Sequence, residues 1–186
     1  ALRLWSATYL AGVTSDRGDV LVAYRSTPDN LPEMNLALIR QGRTSLYELL
    51  SECARDPDGP ELYVPGLNLA PDDGLDVDIS RPGLLDAVAP FGATIFLGRN
   101  TKCIGHYHPK AQALLCQVQG RKRVWLFPPT EFARLHLFPP LTAGFFQSRI
   151  NFYGDRSGFA RFSKARGIMF ELHPGDALFI PLHWLH

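Results

Sequence analysis

The stretch Pro174-Gly175-Asp176-Ala177-Leu178-Phe179-Ile180-Pro181-Leu182-His183-Trp184-Leu185-His186 decides how this chain folds. A Pro-Gly-Asp turn leads into an apolar run of strand length, followed by a tryptophan and a histidine. Far upstream stands a second histidine cluster, His106-Tyr107-His108. Histidines at i and i+2 on a strand share one face. His186, from a distant strand, can complete a three-ligand set around one metal and leave coordination positions open for substrate. The competing reading of His106 and His108 is a pair of partly exposed strand histidines.

Working outward, Leu114–Val118, Arg123–Phe127 and Ile168–Leu172 read as further short strands, and Thr94–Leu97 begins the series. Gly120 and Pro128-Pro129 punctuate them. The N-terminal part is more helical. Trp5–Leu10 reads as a short helix with Ser6 as its cap, and Thr44–Leu50 opens another, with Glu48 returning the carboxylate of a capping box. Asp56-Pro57-Asp58-Gly59-Pro60 ends that helix. Asp19–Tyr24 is a strand candidate, and Leu62–Leu69 is extended, with Pro65 favouring an edge or a bulge. Pro28–Pro32 reads as loop and Asp72-Asp73-Gly74 as a turn. The expected class is mainly β with flanking helices (α+β). Residues 1–90 form a helical or mixed flank packing on a β-core at 91–186, together one structural domain.

The chain has 186 residues, 46% hydrophobic and 20% charged, with a formal net charge of +1. That length supports a real core. The charge balance, with no basic run or arginine-rich arm, does not favour nucleic acid as a partner. No apolar stretch approaches the ~20 residues of a membrane span, so no membrane partner is expected. Cys53, Cys103 and Cys116 are odd in number and lack CxxC spacing, which points to a reducing cytoplasm. With no initiator Met and a last residue that is a ligand candidate, the chain is expected to continue at both ends in a longer protein, including a further C-terminal strand.

Two motifs carry a family resemblance. Gln117-Val118-Gln119-Gly120-Arg121-Lys122-Arg123-Val124-Trp125-Leu126-Phe127-Pro128-Pro129 and the 174–186 stretch, in that order, resemble the JmjC/cupin-like family of Fe(II)- and 2-oxoglutarate-dependent oxygenases, from Gly98 onward. The opening Trp5…Tyr9-Leu10 and Asp78–Pro82 resemble the looser N-terminal flank of such proteins. The resemblance implies a double-stranded β-helix (cupin or jelly-roll barrel), with metal at one open end. It implies an oxidoreductase of dioxygenase type in which 2-oxoglutarate chelates Fe(II), is decarboxylated to succinate and CO2, and drives hydroxylation of a protein side chain or small molecule. His106 matches the first ligand position and His186 the last. His108 stands where the family places a carboxylate, so a three-histidine site and a two-histidine, weakly binding site both remain open. No catalytic residue beyond the ligands is implied.

Lys122 matches the lysine that binds the distal carboxylate of 2-oxoglutarate, a task suited to a compact cation; the alternative is a solvated strand lysine. Cys103 occupies a position where many relatives carry a threonine near the cosubstrate, and Ala113 one where they carry an asparagine. Trp184 and Tyr107 read as packing residues, with Tyr107 facing away from the metal by strand alternation. His136, His173 and His183 read as structural or exposed. Two other functions stay open: a non-catalytic metal-binding module descended from such enzymes, and a three-histidine dioxygenase that does not use 2-oxoglutarate. Substrate identity and oligomeric state have no sequence code here.

Overall fold

A computed structural model of the chain describes residues 5–13, 21–25, 40–68, 93–142 and 144–186. The expectations for Pro28–Pro32, Asp72–Gly74 and Asp78–Pro82 fall outside these residues. The chain divides into two compact units, one within residues 1–102 and the other chiefly Cys103–His186. All strand pairs are antiparallel among the described residues.

The first unit contains helix α1 (Ala7–Val13), strands β1 (Leu21–Arg25) and β2 (Arg40–Thr44), helix α2 (Leu46–Arg55), and strands β3 (Leu62–Asn68) and β4 (Thr94–Arg99). The Ser6 hydroxyl accepts from the Tyr9 amide at 3.1 Å, as its capping position predicts. On α2 the capping box is complete. Glu48 N–H donates to Ser45 Oγ at 3.1 Å, and Ser45 N–H donates to the Glu48 carboxylate at 2.9 Å. The four strands order as β2-β1-β3-β4. The β3–β4 register shifts between Val64 and Leu67. Pro65, which has no N–H, and Gly66, at φ +74°, sit in that irregularity. β4 therefore joins this sheet rather than opening the C-terminal series.

Arg99, at the end of β4, is 8% exposed and clasps the C-terminus of α2. Its guanidinium donates to the carbonyls of Glu52 (2.9 Å), Asp56 and Pro60 (2.8 Å), and to the Glu52 carboxylate (3.0 Å). The Glu52 and Asp56 carbonyls also accept backbone N–H groups, from Asp56 at 3.1 Å and Gly59 at 3.2 Å, so the planar fork is a second donor to each and ties the helix end to β4.

The second unit contains β5 (Ala113–Cys116), β6 (Lys122–Leu126), β7 (Ile168–Leu172) and β8 (Ala177–Ile180). The pairing is nested: β6 pairs with β7, while β5, before them, pairs with β8, after them. This is the chain path of a jelly-roll, and it matches the expected fold class. Gln117 extends the outer pair, exchanging bonds of 2.9 Å with Asp176 and Gly175. The Asp176 carboxylate accepts from His173 N–H at 2.7 Å, a turn role. Period-two alternation puts Val124, Leu126, Leu172, Leu178 and Ile180 into one buried cluster, with Trp184 packed against it. Trp184 is thus a partly buried packing residue. Phe127, Leu135 and Leu185 form a second cluster with Phe152 and Phe162. Between β6 and β7 the chain forms two short 3-10 helices, Pro129–Arg134 and Ala160–Lys164, and isolated bridges.

Among the described residues no helix is long and apolar enough to cross a membrane. Cys53, Cys103 and Cys116 are free thiols. Replacing Arg99 with Met keeps much of the side-chain volume but removes the guanidinium donor from the Pro60 carbonyl and the Glu52 carboxylate, and one of the two donors from each of the Glu52 and Asp56 carbonyls. We expect a loss of about 2–3 kcal/mol in urea unfolding. An unchanged midpoint would show that the clasp does not hold the helix.

Candidate metal centre

The ligand strand is placed by main-chain bonds. His106 and His186 face each other as a closely bonded antiparallel pair: His106 N–H donates to His186 O at 2.9 Å, and His186 N–H donates to His106 O at 2.8 Å. One residue before His186, Leu185 and Phe127 exchange a second reciprocal pair, at 2.8 and 3.0 Å. On its other edge the ligand strand bonds to 146–148, through Tyr107 N–H to Phe146 O (3.0 Å) and Ser148 N–H to Gly105 O (2.7 Å). His183, at φ +65°, turns the chain after Pro181. Its N–H lies 3.4 Å from His108 O, and its Nε2 lies 3.1 Å from Pro109 O.

This scaffold brings His106, His108 and His186 together, each with a ring nitrogen within 4.8 Å of the others'. The ring centroids are 4.6 Å apart for His106–His186, 4.8 Å for His108–His186 and 5.3 Å for His106–His108. Two rings are oriented from behind. His106 Nδ1 lies 3.0 Å from Ile104 O, and His186 Nδ1 lies 3.0 Å from Trp184 O. A carbonyl only accepts, so each Nδ1 carries the proton and each Nε2 keeps its lone pair, as a ligating imidazole requires.

Burial lowers the pKa of His108, and neighbouring His106 lowers it further. His186 is lowered to about 4, first by burial and then by His106. Both are neutral at pH 7, so binding a cation displaces no proton from them. Three imidazole nitrogen donors suit Fe(II), Zn, Ni or Cu rather than Mg or Ca. The donor set therefore fits a transition metal, which His106, His108 and His186 would hold.

Lys122 and Cys103 also reach this region. Lys122 lies on the interior face of β6 with Val124 and Leu126, half-buried. Burial lowers its pKa, and the nearby Cys103 sulfur opposes that shift. Cys103 Sγ is 3.9 Å from His106 Nδ1. The thiol so connects the lysine to the imidazole cluster from behind His106. Tyr107 points the other way, packing on Phe132 with ring centroids 4.9 Å apart. His173 is exposed, with Nε2 3.5 Å from the Glu171 carboxylate. Two surface depressions, one lined by Tyr107, Phe132 and Arg149 and the other by Glu131, Arg134 and Arg166, contain none of the three imidazoles.

Some positioning residues carry no sequence signal. Ser148 is fully buried; its Oγ donates to Leu135 O at 2.7 Å and accepts from Ile150 N–H at 3.1 Å, while its own N–H holds the ligand strand. Gly105 is buried, and a Cβ there would lie 2.5 Å from Phe152 Cε2. Only glycine lets that ring close against the strand bearing His106.

Two outcomes follow. His108→Ala should weaken metal uptake by at least about tenfold in a chelator competition, because one of three ligands is lost; unchanged uptake would mean that His108 does not ligate. The metal-free protein should also lose stability as pH falls from about 6.5 to about 4. In that window His186 is protonated in the unfolded chain but not in the folded one, so the unfolded state binds more protons. Thermal melts across this range test it, and a flat profile would contradict it.

With the geometry established, similarity to known proteins can be placed. A stretch of the HSPB1-associated protein 1 of Rattus norvegicus is 42% identical over 94 residues, covering 48% of this chain and 19% of that protein. The tRNA wybutosine-synthesizing protein 4 of Gibberella zeae is 28% identical over 195 aligned positions, covering 98% of this chain and 18% of that protein. The chain thus spans about a fifth of the length of these curated relatives. The model of the cupin-like domain matches residues 24–186, most of the sequence, and the chain belongs to that family.

Proposed function

We propose that this domain is an Fe(II)- and 2-oxoglutarate-dependent oxygenase that hydroxylates a protein side chain or a small molecule. The observation that carries the reading is the convergence of three imidazoles, with the half-buried Lys122 near Cys103, whose sulfur lies 3.9 Å from His106 Nδ1. When bound, the metal and oxoacid supply the oxidising power: 2-oxoglutarate and O2 become succinate and CO2, and one oxygen atom enters a substrate C–H bond as hydroxyl.

The chain's own residues do the binding and the shielding. His106, His108 and His186 would hold the cation without neutralising its charge, which would favour an anionic chelator. A compact ammonium at the end of the Val124–Leu126 face is stabilised by a carboxylate, which assigns Lys122 to the oxoacid's distal end. Cys103 lines the same region in place of a hydroxyl donor. The cluster of Val124, Leu126, Leu172, Leu178 and Ile180 keeps water from the interior behind the site. A relative named for tRNA wybutosine synthesis supports an enzymatic role for the domain.

A second reading, dioxygenation without an oxoacid, is favoured by the third imidazole at His108 and by the apolar Ala113 and weakly polar Cys103 where the oxoacid needs donors. A degenerate, non-catalytic metal module would share these features and show no turnover.

Anaerobic titration with Fe(II), then with 2-oxoglutarate, separates the readings. The oxoacid should bind only the metal-loaded protein, and Lys122→Met should weaken it roughly ten- to hundredfold while leaving metal uptake intact. Succinate release should follow O2 addition. Oxoacid binding indifferent to Lys122, or O2 uptake independent of oxoacid, would overturn the assignment. Turnover appearing only in His108→Asp would identify the parent as a degenerate module.

A further inference from the structure

A near-neutral total charge conceals a local excess in the second unit. Between Pro129 and Arg166 stand six basic residues, Arg134, Arg149, Arg156, Arg161, Lys164 and Arg166, against two carboxylates, Glu131 and Asp155. The whole chain carries 19 basic and 18 acidic residues, so the remainder is net acidic. Both local carboxylates are already engaged. Glu131 accepts from Arg134 at 2.9 Å and from the Arg166 amide at 3.2 Å; Asp155 accepts from the Ser157 amide and hydroxyl at 2.9 and 2.8 Å. Among the described residues, Arg149, Arg161 and Lys164 have no ion-pair partner.

Arg149 and Arg161 border a depression of about 520 Å³ behind the ligand strand, on the Tyr107 side and away from the imidazoles. Tyr107, Phe132, Phe138 and Phe145 wall it, and Arg149 and Arg161 stand at its edge. His136 contributes a buried Nε2 with no hydrogen-bond partner and holds a left-handed backbone, φ +46°. The 3-10 helix Ala160–Lys164 lends Arg161 to this depression and Ser163 and Lys164 to a second, polar one of about 600 Å³, which also carries Arg134 and Arg166. Flat aromatic walls, one polar atom within them and guanidinium groups at the rim are complementary to a planar, hydrogen-bonding ring bearing phosphate. The cations of the second depression are complementary to a further phosphate.

We propose that this face is a nucleotide-binding site, separate from the metal centre, that seats a base in the aromatic depression and its phosphate on Arg149 and Arg161. The ligand is either a free nucleotide or a nucleotide within a single strand, whose next phosphate reaches Arg134, Lys164 and Arg166. Glutamate-rich peptides satisfy the cations but lack a ring with a hydrogen-bonding edge for the aromatic depression, so they fit less well. The proposal does not depend on the oxygenase reading.

The test is titration of the metal-loaded chain with adenosine 5′-monophosphate and with a single-stranded hexanucleotide at two salt concentrations. Binding of either supports the site. Equal affinities point to the free nucleotide; tighter hexanucleotide binding with a steeper salt dependence points to a strand. Arg149→Glu with Arg161→Glu should weaken binding at least about tenfold, and Phe145→Ala, which removes an exposed ring, roughly fivefold or more. Arg123→Glu, on the outer face of β6, should change it little, and metal uptake should stay intact in all three variants. No binding of either probe would overturn the proposal. So would an equal loss with Arg123→Glu, or tighter binding of a Glu-Phe peptide.

Discussion

The reciprocal main-chain pair between His106 and His186 is the constraint on which the rest of the site depends. Two ligand residues far apart in the chain become nearest neighbours because each N–H finds the other's carbonyl at 2.8–2.9 Å. A directly opposed antiparallel pair sends both side chains to the same face, so the imidazoles meet without any long side chain having to reach. His108 follows on that face by alternation alone. The neighbouring Phe127–Leu185 pair ties the same segment to the end of β6, so the site inherits the rigidity of the jelly-roll core.

Backbone geometry also fixes the chemistry of the rings. Ile104 O and Trp184 O, each two residues before its histidine, take the Nδ1 protons and turn both Nε2 lone pairs inward. Packing the three rings within 5.3 Å in a half-buried site disfavours protonation of His108 and His186. The cost is borne by folding, since imidazoles that resist protons destabilise the empty protein in acid. Lys122 is the complementary case: a cation held partly out of water on the interior face of β6, near Cys103.

Much of this was legible in the sequence where it is local. Alternation in Lys122–Leu126 and Ala177–Ile180 marks strands, Ser45 with Glu48 marks a helix start, and Pro65-Gly66 marks an irregular strand. The i, i+2 histidines show a shared face. What escaped is non-local. Thr94–Arg99 alternates just as a barrel strand would, and nothing in it says that it pairs with Leu62–Asn68. Arg99 reads as an ordinary charged residue until its carbonyl partners are seen. Residues 127–167 have no period because they form single bridges and 3-10 turns, so the parts played by Ser148 and Gly105 leave no pattern. Net charge likewise averages away where charges sit.

The central claim is that three imidazoles share one ion. A crystal structure of the metal-loaded chain, with anomalous data at the metal edge, tests it most directly. The account predicts a single peak about 2.0–2.2 Å from Nε2 of His106, His108 and His186 alike. A peak bonded to His106 and His186 with His108 turned away, or one lying elsewhere on the molecule, would contradict it.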